Sequence, residues 1–266
     1  GLIAEIASKE HEPGSVAQKI GDLYNLAMNT EKLNADGMTP IQPELDKINA
    51  ISDKAGIIQA MADLTGSAYF QFYVGADIMD SKMNIFQLYQ GGIGLGEKEY
   101  YLDTDEATTN IREGYKAHIV KMFQLIGQDE KTATKNMESV MEIETRLAKK
   151  AFSAVEQRNP AANYHMLTLD EVKKQIAGFD WDAYLNAVGV KGVTSMNVSQ
   201  IEPVKEAVAI INEMPLDKQK AYLQWKLIDD AAAYLSEDFV AQNFEFYGKV
   251  MSGKKEDQPR WKKAVG

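Results

Sequence analysis

Cysteine is absent from this sequence of 266 residues. A chain without cysteine has no disulfide framework, no iron–sulfur ligation, no thiolate zinc site and no cysteine nucleophile. Histidine is scarce as well, with three residues at His11, His118 and His165. Basic residues are outnumbered, since 29 Lys and Arg stand against 39 Asp and Glu and leave a net charge of −10. This balance argues against nucleic acid as a partner, because binding to phosphates requires a basic face.

Long apolar runs are missing too. Ala207–Met214 is among the most apolar stretches and is interrupted within a few positions, whereas a helix that crosses a bilayer needs about 20 apolar residues. We therefore predict no transmembrane segment in this chain. The N-terminal residues have neither the basic start nor the long apolar stretch of a secretion signal. With 45% hydrophobic and 26% charged residues, the composition is that of a globular protein with one large domain or two ordinary ones.

The hydrophobic periodicity predicts a mainly α-helical, multi-helix lobe with one small β-hairpin near residues 69–90. Tyr69–Val74 and Asn84–Tyr89 are rich in aromatic and β-branched residues, and we predict them as two strands that pair across Asp77–Met83. Residues 195–199 are predicted to be extended. Elsewhere apolar residues recur at a spacing of three and four. The predicted helices are 16–33, 39–51, 53–66, 104–126, 131–152, 181–188, 203–214, 216–235, 237–251 and one that opens near Gln258.

Three polar signals predict helix starts within this pattern. Thr39 precedes Pro40, and a threonine can cap a helix whose first position holds proline. Asp53 is placed to cap the next helix. Thr168 and Glu171 have the spacing of a capping box, in which the hydroxyl and the carboxylate satisfy each other's backbone N–H groups.

The histidines form no recognisable site. His11-Glu12 could open the zinc-binding pattern H-E-x-x-H, but position 15 is Ser, so the second ligand is missing. We interpret this pair as a solvated part of a loop. His118 lies in the middle of a predicted helix and His165 lies beside a helix start, and neither is accompanied by a nucleophile pattern. We expect both to be structural hydrogen-bonding residues.

A glycine-rich stretch invites comparison with phosphate-binding loops. Gly92-x-Gly94 could open a dinucleotide-binding fingerprint, but Glu97 stands where the third glycine is required. A turn that needs positive φ explains these glycines with less assumption. Asp103–Thr108 resembles a calcium loop for three residues and then lacks the required ligand and glycine. Neither stretch is therefore predicted to bind a ligand.

The remaining polar pattern is a run of charges on one helix, Glu138, Glu142 and Arg146. Charges on neighbouring turns are typical of a solvated helix face with an i,i+4 ion pair. The aromatic residues near the end of the sequence, among them Phe246 and Tyr247, are predicted to pack in the core, with the Tyr247 hydroxyl bonding a turn. From the residues alone we identify no catalytic residue and no metal ligand, and we assign no substrate-binding residue.

Several blocks in the second half of the chain nevertheless form a recognisable series. Tyr222–Leu235, Phe239–Gly248 and Pro259-Arg260-Trp261-Lys262 resemble one continuous segment of the neprilysin and endothelin-converting-enzyme family of zinc metallopeptidases, including bacterial oligopeptidase members. Gly92–Leu102 and Arg158–Leu169 are similar to two earlier segments of that family, in the same order. Two local departures are Gly96, where the family usually has proline, and His165, where it often has asparagine.

The resemblance implies that residues 1–266 are part of the N-terminal, non-zinc lobe of a metalloendopeptidase, with the catalytic zinc domain absent. The family's H-E-x-x-H helix and its downstream glutamate ligand are not in this sequence, so no catalytic or metal residue is carried over to any position. Zinc is implied for the full-length enzyme and no cofactor for this chain. The implied partners are the C-terminal zinc lobe of the same polypeptide and short peptide substrates. An exported or cell-envelope location, such as the periplasm, is implied as well.

We therefore expect a lobe that caps the active-site cavity of the enzyme and is inactive by itself. The alternative is a free-standing helical module that binds peptides or proteins without catalysis. An independent small-molecule enzyme is a third interpretation, which the poor ionisable constellations disfavour.

Overall fold

Helices dominate the computed structural model, which describes residues 2–9, 11, 15–28 and 34–253. The α-helices are α1 Leu2–Ala7, α2 Val16–Met28, α3 Gln42–Asn49, α4 Lys54–Asp63, α5 Glu99–Leu102, α6 Glu106–Leu125, α7 Glu130–Lys150, α8 Ala154–Gln157, α9 Leu169–Gln175, α10 Trp181–Ala187, α11 Ile201–Glu213, α12 Leu216–Ala231 and α13 Glu237–Asn243. Three 3₁₀ turns and a π-helix accompany them, at Thr39–Ile41, Ala161–Asn163, Ala232–Tyr234 and Phe244–Met251. The predicted mainly helical class is confirmed. In the described part of the chain no helix combines the length and the apolar character that spanning a bilayer requires.

The β structure is one small sheet built on the predicted hairpin. Its strands are β1 Phe70–Asp77, β2 Asp80–Gln90, β3 Met166–Thr168 and β4 Ser195–Val198, in the spatial order β1-β2-β4-β3. β1 and β2 are antiparallel, so the predicted hairpin is confirmed, with a tighter turn than expected. β4 runs parallel to β2 and antiparallel to β3. The extended segment predicted at residues 195–199 thus joins two distant parts of the chain.

Two of the three predicted helix caps are confirmed. The Asp53 side chain accepts the N–H of Gly56 at 3.0 Å, and Thr168 and Glu171 form both bonds of the capping box. The prediction for Thr39 is wrong. Thr39 lies inside the 3₁₀ turn, which starts after Met38 without a side-chain cap, because the chain turns tightly once before α3 begins.

The ends of the helices differ from the predictions where the chain changes helix type. α12 stops at Ala231 and continues as a 3₁₀ turn, and α13 passes into the π-helix at Phe244. α11 begins two residues before Pro203, which the first turn tolerates because its N–H groups have no helical partner. Residues 29–33 and the helix predicted near Gln258 lie outside the described residues.

Buried apolar side chains form two clusters, and α7 and α12 contribute to both. The first cluster lies against the sheet, and its members include Phe70, Trp181, Tyr184 and Tyr222. The second lies between α6, α7 and α12, and its members include Tyr115, Phe123, Trp225 and Phe246. Since each fully buried aromatic side chain contributes a few kcal/mol of hydrophobic free energy, these clusters supply most of the packing that fixes the helices.

Candidate functional site

A buried ion pair joins α7 to α12 between the two apolar clusters. Lys226 Nζ lies 3.3 Å from Glu144 Oε2, and both side chains are almost fully buried. The Tyr115 hydroxyl donates to Glu144 at 2.9 Å and accepts the indole N–H of Trp225, also at 2.9 Å. The Tyr101 hydroxyl donates to Glu144 Oε1, the oxygen that also accepts from Tyr115. A buried charge is tolerated only when it is paired and hydrogen-bonded, and Glu144 fulfils both conditions.

The glycine-rich stretch lies directly on this network. The Gly94 N–H donates to Glu144 Oε1 at 2.8 Å, and the Leu95 N–H donates to the Tyr101 hydroxyl at 3.0 Å. A Cβ at Gly94 would lie 2.2 Å from the Tyr115 hydroxyl oxygen, so only glycine fits at this approach. Both N–H groups already have partners inside the protein. The loop is therefore a structural anchor, which agrees with its interpretation as a turn.

A second contact fastens the start of the same loop. The Tyr222 hydroxyl donates to the Gly92 carbonyl at 2.7 Å and accepts the Tyr69 N–H at 3.1 Å. Tyr69 has a φ of 66°, which is unusual for a bulky residue. Its own hydroxyl donates to Gln219 at 2.8 Å. Such a conformation persists only where the surroundings hold it, and here α12 does so through Tyr222 and Gln219.

A second carboxylate, that of Asp229 on α12, lies beside the ion pair. The Tyr247 hydroxyl, from the π-helix, donates to Asp229 at 2.8 Å. Burial raises the pKa of Asp229 from its usual 3.8 to about 6, although Lys226 and the Tyr247 bond act in the opposite direction. Burial also raises the pKa of the neighbouring Asp230, which accepts the Ser67 hydroxyl. The ammonium group of Lys226 thus pairs with Glu144 and also favours the charged forms of Asp229 and Asp230.

The tyrosines of the network act as donors, not as acids. Burial and the charge of Glu144 raise the pKa of Tyr101 and Tyr115 well above 10. Burial likewise raises the pKa of Tyr222 and Tyr247. All four hydroxyls therefore stay protonated at neutral pH. The arrangement fixes a loop against two helices and supplies no exposed group for proton transfer.

An open cleft of about 160 Å³ lies on the solvent side of the glycine-rich loop. Its lining is Tyr69, Gln71, Tyr89, Gln90, Gly91, Gly92, Ile93, Gly96, Leu147, Ala151, Gln157 and Pro203. The lining contains amides and phenols but no carboxylate, histidine or basic side chain. The cleft can therefore form hydrogen bonds with a ligand, but it offers no general acid or base that works near pH 7.

The histidines have structural surroundings. The ring of His118 is buried against Phe246 and Trp225, and its Nδ1 accepts from the Gln242 amide at 2.9 Å. Burial lowers the pKa of His118 to about 3. The His165 ring lies 2.8 Å from the Val198 carbonyl through Nδ1. Among residues 2–9, 11, 15–28 and 34–253, no group of three or more His, Asp or Glu residues is arranged to hold a metal ion.

The acidic motifs have ordinary roles. Asp105, in the stretch that resembles a calcium loop, caps α6 by accepting the Thr108 N–H at 3.1 Å. The ion pair expected between Glu142 and Arg146 is replaced by longer-range pairs. Glu142 pairs with Lys218 at 2.7 Å, and Arg146 bridges to α11 through two glutamates, Glu206 at 2.8 Å and Glu213 at 3.1 Å. The reason is that α11 and α12 pack beside α7, so oppositely charged partners from those helices come within reach.

Glu144, the centre of the network, is not among the residues predicted from the sequence. The available signal was its position in the apolar stripe of α7, which also contains Val140, Ile143 and Leu147. A carboxylate in such a stripe must be paired when it is buried. Tyr247 was expected to bond a turn, and its partner is instead the helical residue Asp229.

A family model described as peptidase family M13, for the N-terminal part, matches residues 1–266. Among curated proteins, endothelin-converting enzyme 1 of Rattus norvegicus is 26% identical over 99% of this chain and 36% of its own length. The human enzyme of the same name is 26% identical over 75% of this chain and 26% of its own length. The chain thus spans about a third of these relatives or less.

Solved structures give the same picture. The open state of zinc metalloprotease Zmp1 of Mycobacterium tuberculosis superposes with a TM-score of 0.92 at 28% identity, over 99% of this chain and 42% of that one. PepO from Lactobacillus rhamnosis HN001 superposes with a TM-score of 0.79 over 100% of this chain and 42% of that one. Its identity of 18% supports the fold alone.

Proposed function

The chain belongs to peptidase family M13, and on that premise we propose that it caps the active-site cavity of a zinc metalloendopeptidase that acts on short peptides. One observation carries the proposal: the N-terminal family model covers the whole chain, while the chain covers 42% of a zinc metalloprotease of known structure. In this proposal the C-terminal zinc lobe of the same polypeptide supplies the chemistry, and residues 1–266 supply a wall.

Zinc belongs to the proposed full-length enzyme and not to this lobe. A zinc site needs three or four N, O or S ligands at about 2.0–2.3 Å. The oxygens of Glu144 already accept from Lys226, Gly94 and two tyrosines, so the network is not free to bind a cation. We assign no zinc ligand and no catalytic residue to this chain. In the enzyme, the metal would activate the water that attacks the peptide bond.

The residues of this lobe would act by holding the wall of the cavity in place. We propose that this wall includes helices α7 and α12, between which the glycine-rich loop is fastened through Glu144 and Tyr222. Because the N–H groups of Gly94 and Leu95 are hydrogen-bonded inside the protein, the shape of the loop does not depend on a ligand. We infer that the lobe is preorganised, which lowers the entropic cost of enclosing a peptide.

The test compares the 266-residue chain with the complete product of its gene, each incubated with zinc and a mixture of short peptides. Mass spectrometry of the fragments measures cleavage. We expect the complete product to cleave peptides and to lose this activity after chelation, and the 266-residue chain to leave the peptides intact. Zinc-dependent cleavage by the chain alone would overturn its proposed inactivity.

The reading frame provides the second arm of the test. We expect it to continue beyond Gly266 into an H-E-x-x-H motif. A natural stop codon at Gly266, together with peptide binding by the chain in the absence of zinc, would overturn the proposal that the chain is a lobe of a larger enzyme. It would establish instead a free-standing module that binds peptides. Isothermal titration of the chain with the same peptides measures that binding.

A further inference from the structure

The outer half of the β1–β2 hairpin extends beyond the body of the protein. β4 pairs with β2 only at Phe86, Gln87 and Leu88, where β2 is buried. Beyond that contact every β2 residue from Asp80 to Asn84 is exposed, whereas on a half-buried strand exposure alternates. We call residues 73–84 the hairpin arm. Within the arm Gly75 and Asp77 are half-buried, and the other ten residues are exposed.

The arm carries a concentration of exposed apolar side chains. Nine large apolar residues are exposed in the described part of the chain, and five of them lie on the arm. The five are Tyr73, Val74, Ile78, Met79 and Met83. The other four are scattered over distant elements, at Val16, Val155, Tyr234 and Val250. Single exposed apolar residues are ordinary, but five within the twelve residues of one hairpin arm indicate an interaction surface.

The arm is also held in a fixed shape. The Tyr164 hydroxyl donates to Asp77 at 2.9 Å, and the same carboxylate accepts the Met79 N–H at 2.9 Å. The Tyr73 ring packs edge-on against Tyr89, with ring centroids 5.7 Å apart. An isolated two-stranded ribbon is only marginally stable in water. These braces at its base and turn let the arm present its apolar side chains as a preformed surface.

We propose that the hairpin arm is a docking surface for the C-terminal zinc lobe of the same polypeptide. The inference rests on the proposed function. The length of the relatives identifies the occupant: the chain covers 42% of the Zmp1 chain, so more than half of such a polypeptide lies outside residues 1–266. A tethered lobe is present at a high effective concentration. A permanently available partner suits an apolar surface that would otherwise promote aggregation.

The absence of cysteine makes this surface directly testable. A Met79→Cys substitution introduces one thiol into residues 1–266 of the complete gene product, with any cysteine beyond Gly266 replaced by serine. A thiol-reactive benzophenone on that residue is photoactivated, and the captured peptides are identified by mass spectrometry. Val155→Cys is the matched control, because Val155 is 72% exposed and Met79 is 74% exposed.

We expect Met79→Cys to capture peptides beyond Gly266 within one polypeptide, at a yield at least about tenfold above that of Val155→Cys. Capture of a second copy, capture only of an added substrate peptide, or equal yields at the two positions would each overturn the proposal. A reading frame that ends at Gly266 would overturn the proposed function and the docking surface together. If the frame continues and capture fails, the docking surface alone is overturned.

A second measurement uses charge. The double substitution Ile78→Glu and Met79→Glu should leave the melting temperature of the 266-residue chain unchanged, since both side chains are exposed there. In the complete product it should lower the melting temperature, because two carboxylates would be buried in the contact. Equal effects in the two proteins would contradict the docking surface.

Discussion

Lys226 Nζ lies 3.3 Å from Glu144 Oε2, and the two side chains are 5% and 0% exposed. Glu144→Ala would leave the buried ammonium group without the carboxylate that it contacts. Removal of one partner from a buried ion pair typically costs about 3–5 kcal/mol. We expect a loss of that size in the free energy of unfolding, measured by urea denaturation.

Glu142→Ala is the matched control on the same helix. Glu142 pairs with Lys218 at 2.7 Å, but both side chains are partly exposed, so its loss should cost about 0–1 kcal/mol. The double variant Glu144→Leu with Lys226→Met should recover only the part of the loss in Glu144→Ala that comes from the uncompensated ammonium group, because the buried donors that bond Glu144 still lack their acceptor. Equal effects of Glu142→Ala and Glu144→Ala would contradict a paired charge at the centre of the lobe.

Gly94→Ala should destabilise the protein through a steric clash. The added Cβ would lie 2.2 Å from the Tyr115 hydroxyl oxygen and 3.4 Å from Glu144 Oε1. The expected cost is about 1–3 kcal/mol from overpacking alone, with more if the Gly94 N–H bond to Glu144 is lost. Gly96→Ala separates this effect from backbone strain, because Gly96 has a φ of +84° and no atom within 4 Å of the added Cβ. We expect a larger loss in melting temperature for Gly94→Ala, and the reverse order would show that strain dominates.

The parts of the fold that depend on neighbouring residues could be predicted from the sequence. The hairpin follows from two β-rich segments joined by a short turn, and the caps at Asp53 and Thr168 involve atoms three residues apart. The π-helix at Phe244–Met251 was not predicted, because an i→i+5 pattern has no apolar periodicity of its own in so short a segment. The sheet was only partly foreseen, since β3 and β4 are too short to be assigned a partner without knowledge of the packing.

The candidate site was predictable only as separate pieces. The segments around Gly92 and Tyr222 were identified by resemblance, yet their contact through the Tyr222 hydroxyl joins residues far apart in the sequence. Glu144 belongs to neither segment, and its role appears only when Gly94, Tyr115 and Lys226 meet it in space. Hydrophobic periodicity predicts which face of a helix is buried, but it does not identify the residues of other elements that this face contacts.

Asp229 should make the protein less stable as the pH rises through 6. Its pKa is raised from 3.8 to about 6 by burial, so between these values the folded state binds a proton that the unfolded state releases. Its contribution to stability is present at low pH and is lost above 6. Asp229→Asn should therefore improve stability relative to the parent protein more at pH 7.5 than at pH 4.5, by about 2 kcal/mol.

The measurement is urea unfolding of both proteins at the two pH values. Tyr247→Phe is an informative control, because loss of the hydroxyl that donates to Asp229 removes an interaction with the charged form. It should raise the pKa of Asp229 further and enlarge the dependence on pH. A pH-independent difference between Asp229→Asn and the parent protein would exclude titration of this residue in that range.

His118 should have the opposite effect on stability. Burial lowers its pKa from 6.5 to about 3, so as the pH falls below 6.5 the unfolded state gains a proton that the folded state refuses. Its contribution is present above 6.5 and is lost as the pH falls toward 3. His118→Phe should remove this loss, and between pH 7.5 and 4.5 the variant should gain about 3 kcal/mol relative to the parent protein.

The choice of phenylalanine separates titration from packing. The His118 ring stacks on Phe246 with centroids 5.1 Å apart, and its Nε2 has no hydrogen-bond partner within the described structure. Phenylalanine keeps the stacking and removes the desolvated N–H, at the cost of the bond from Gln242. At pH 7.5 we therefore expect a change within about 1–1.5 kcal/mol, whereas His118→Ala should lose about 2–5 kcal/mol by leaving a cavity. If His118→Phe and His118→Ala were equally destabilised at pH 7.5, the hydrogen bond from Gln242 and not the ring packing would hold this part of the core.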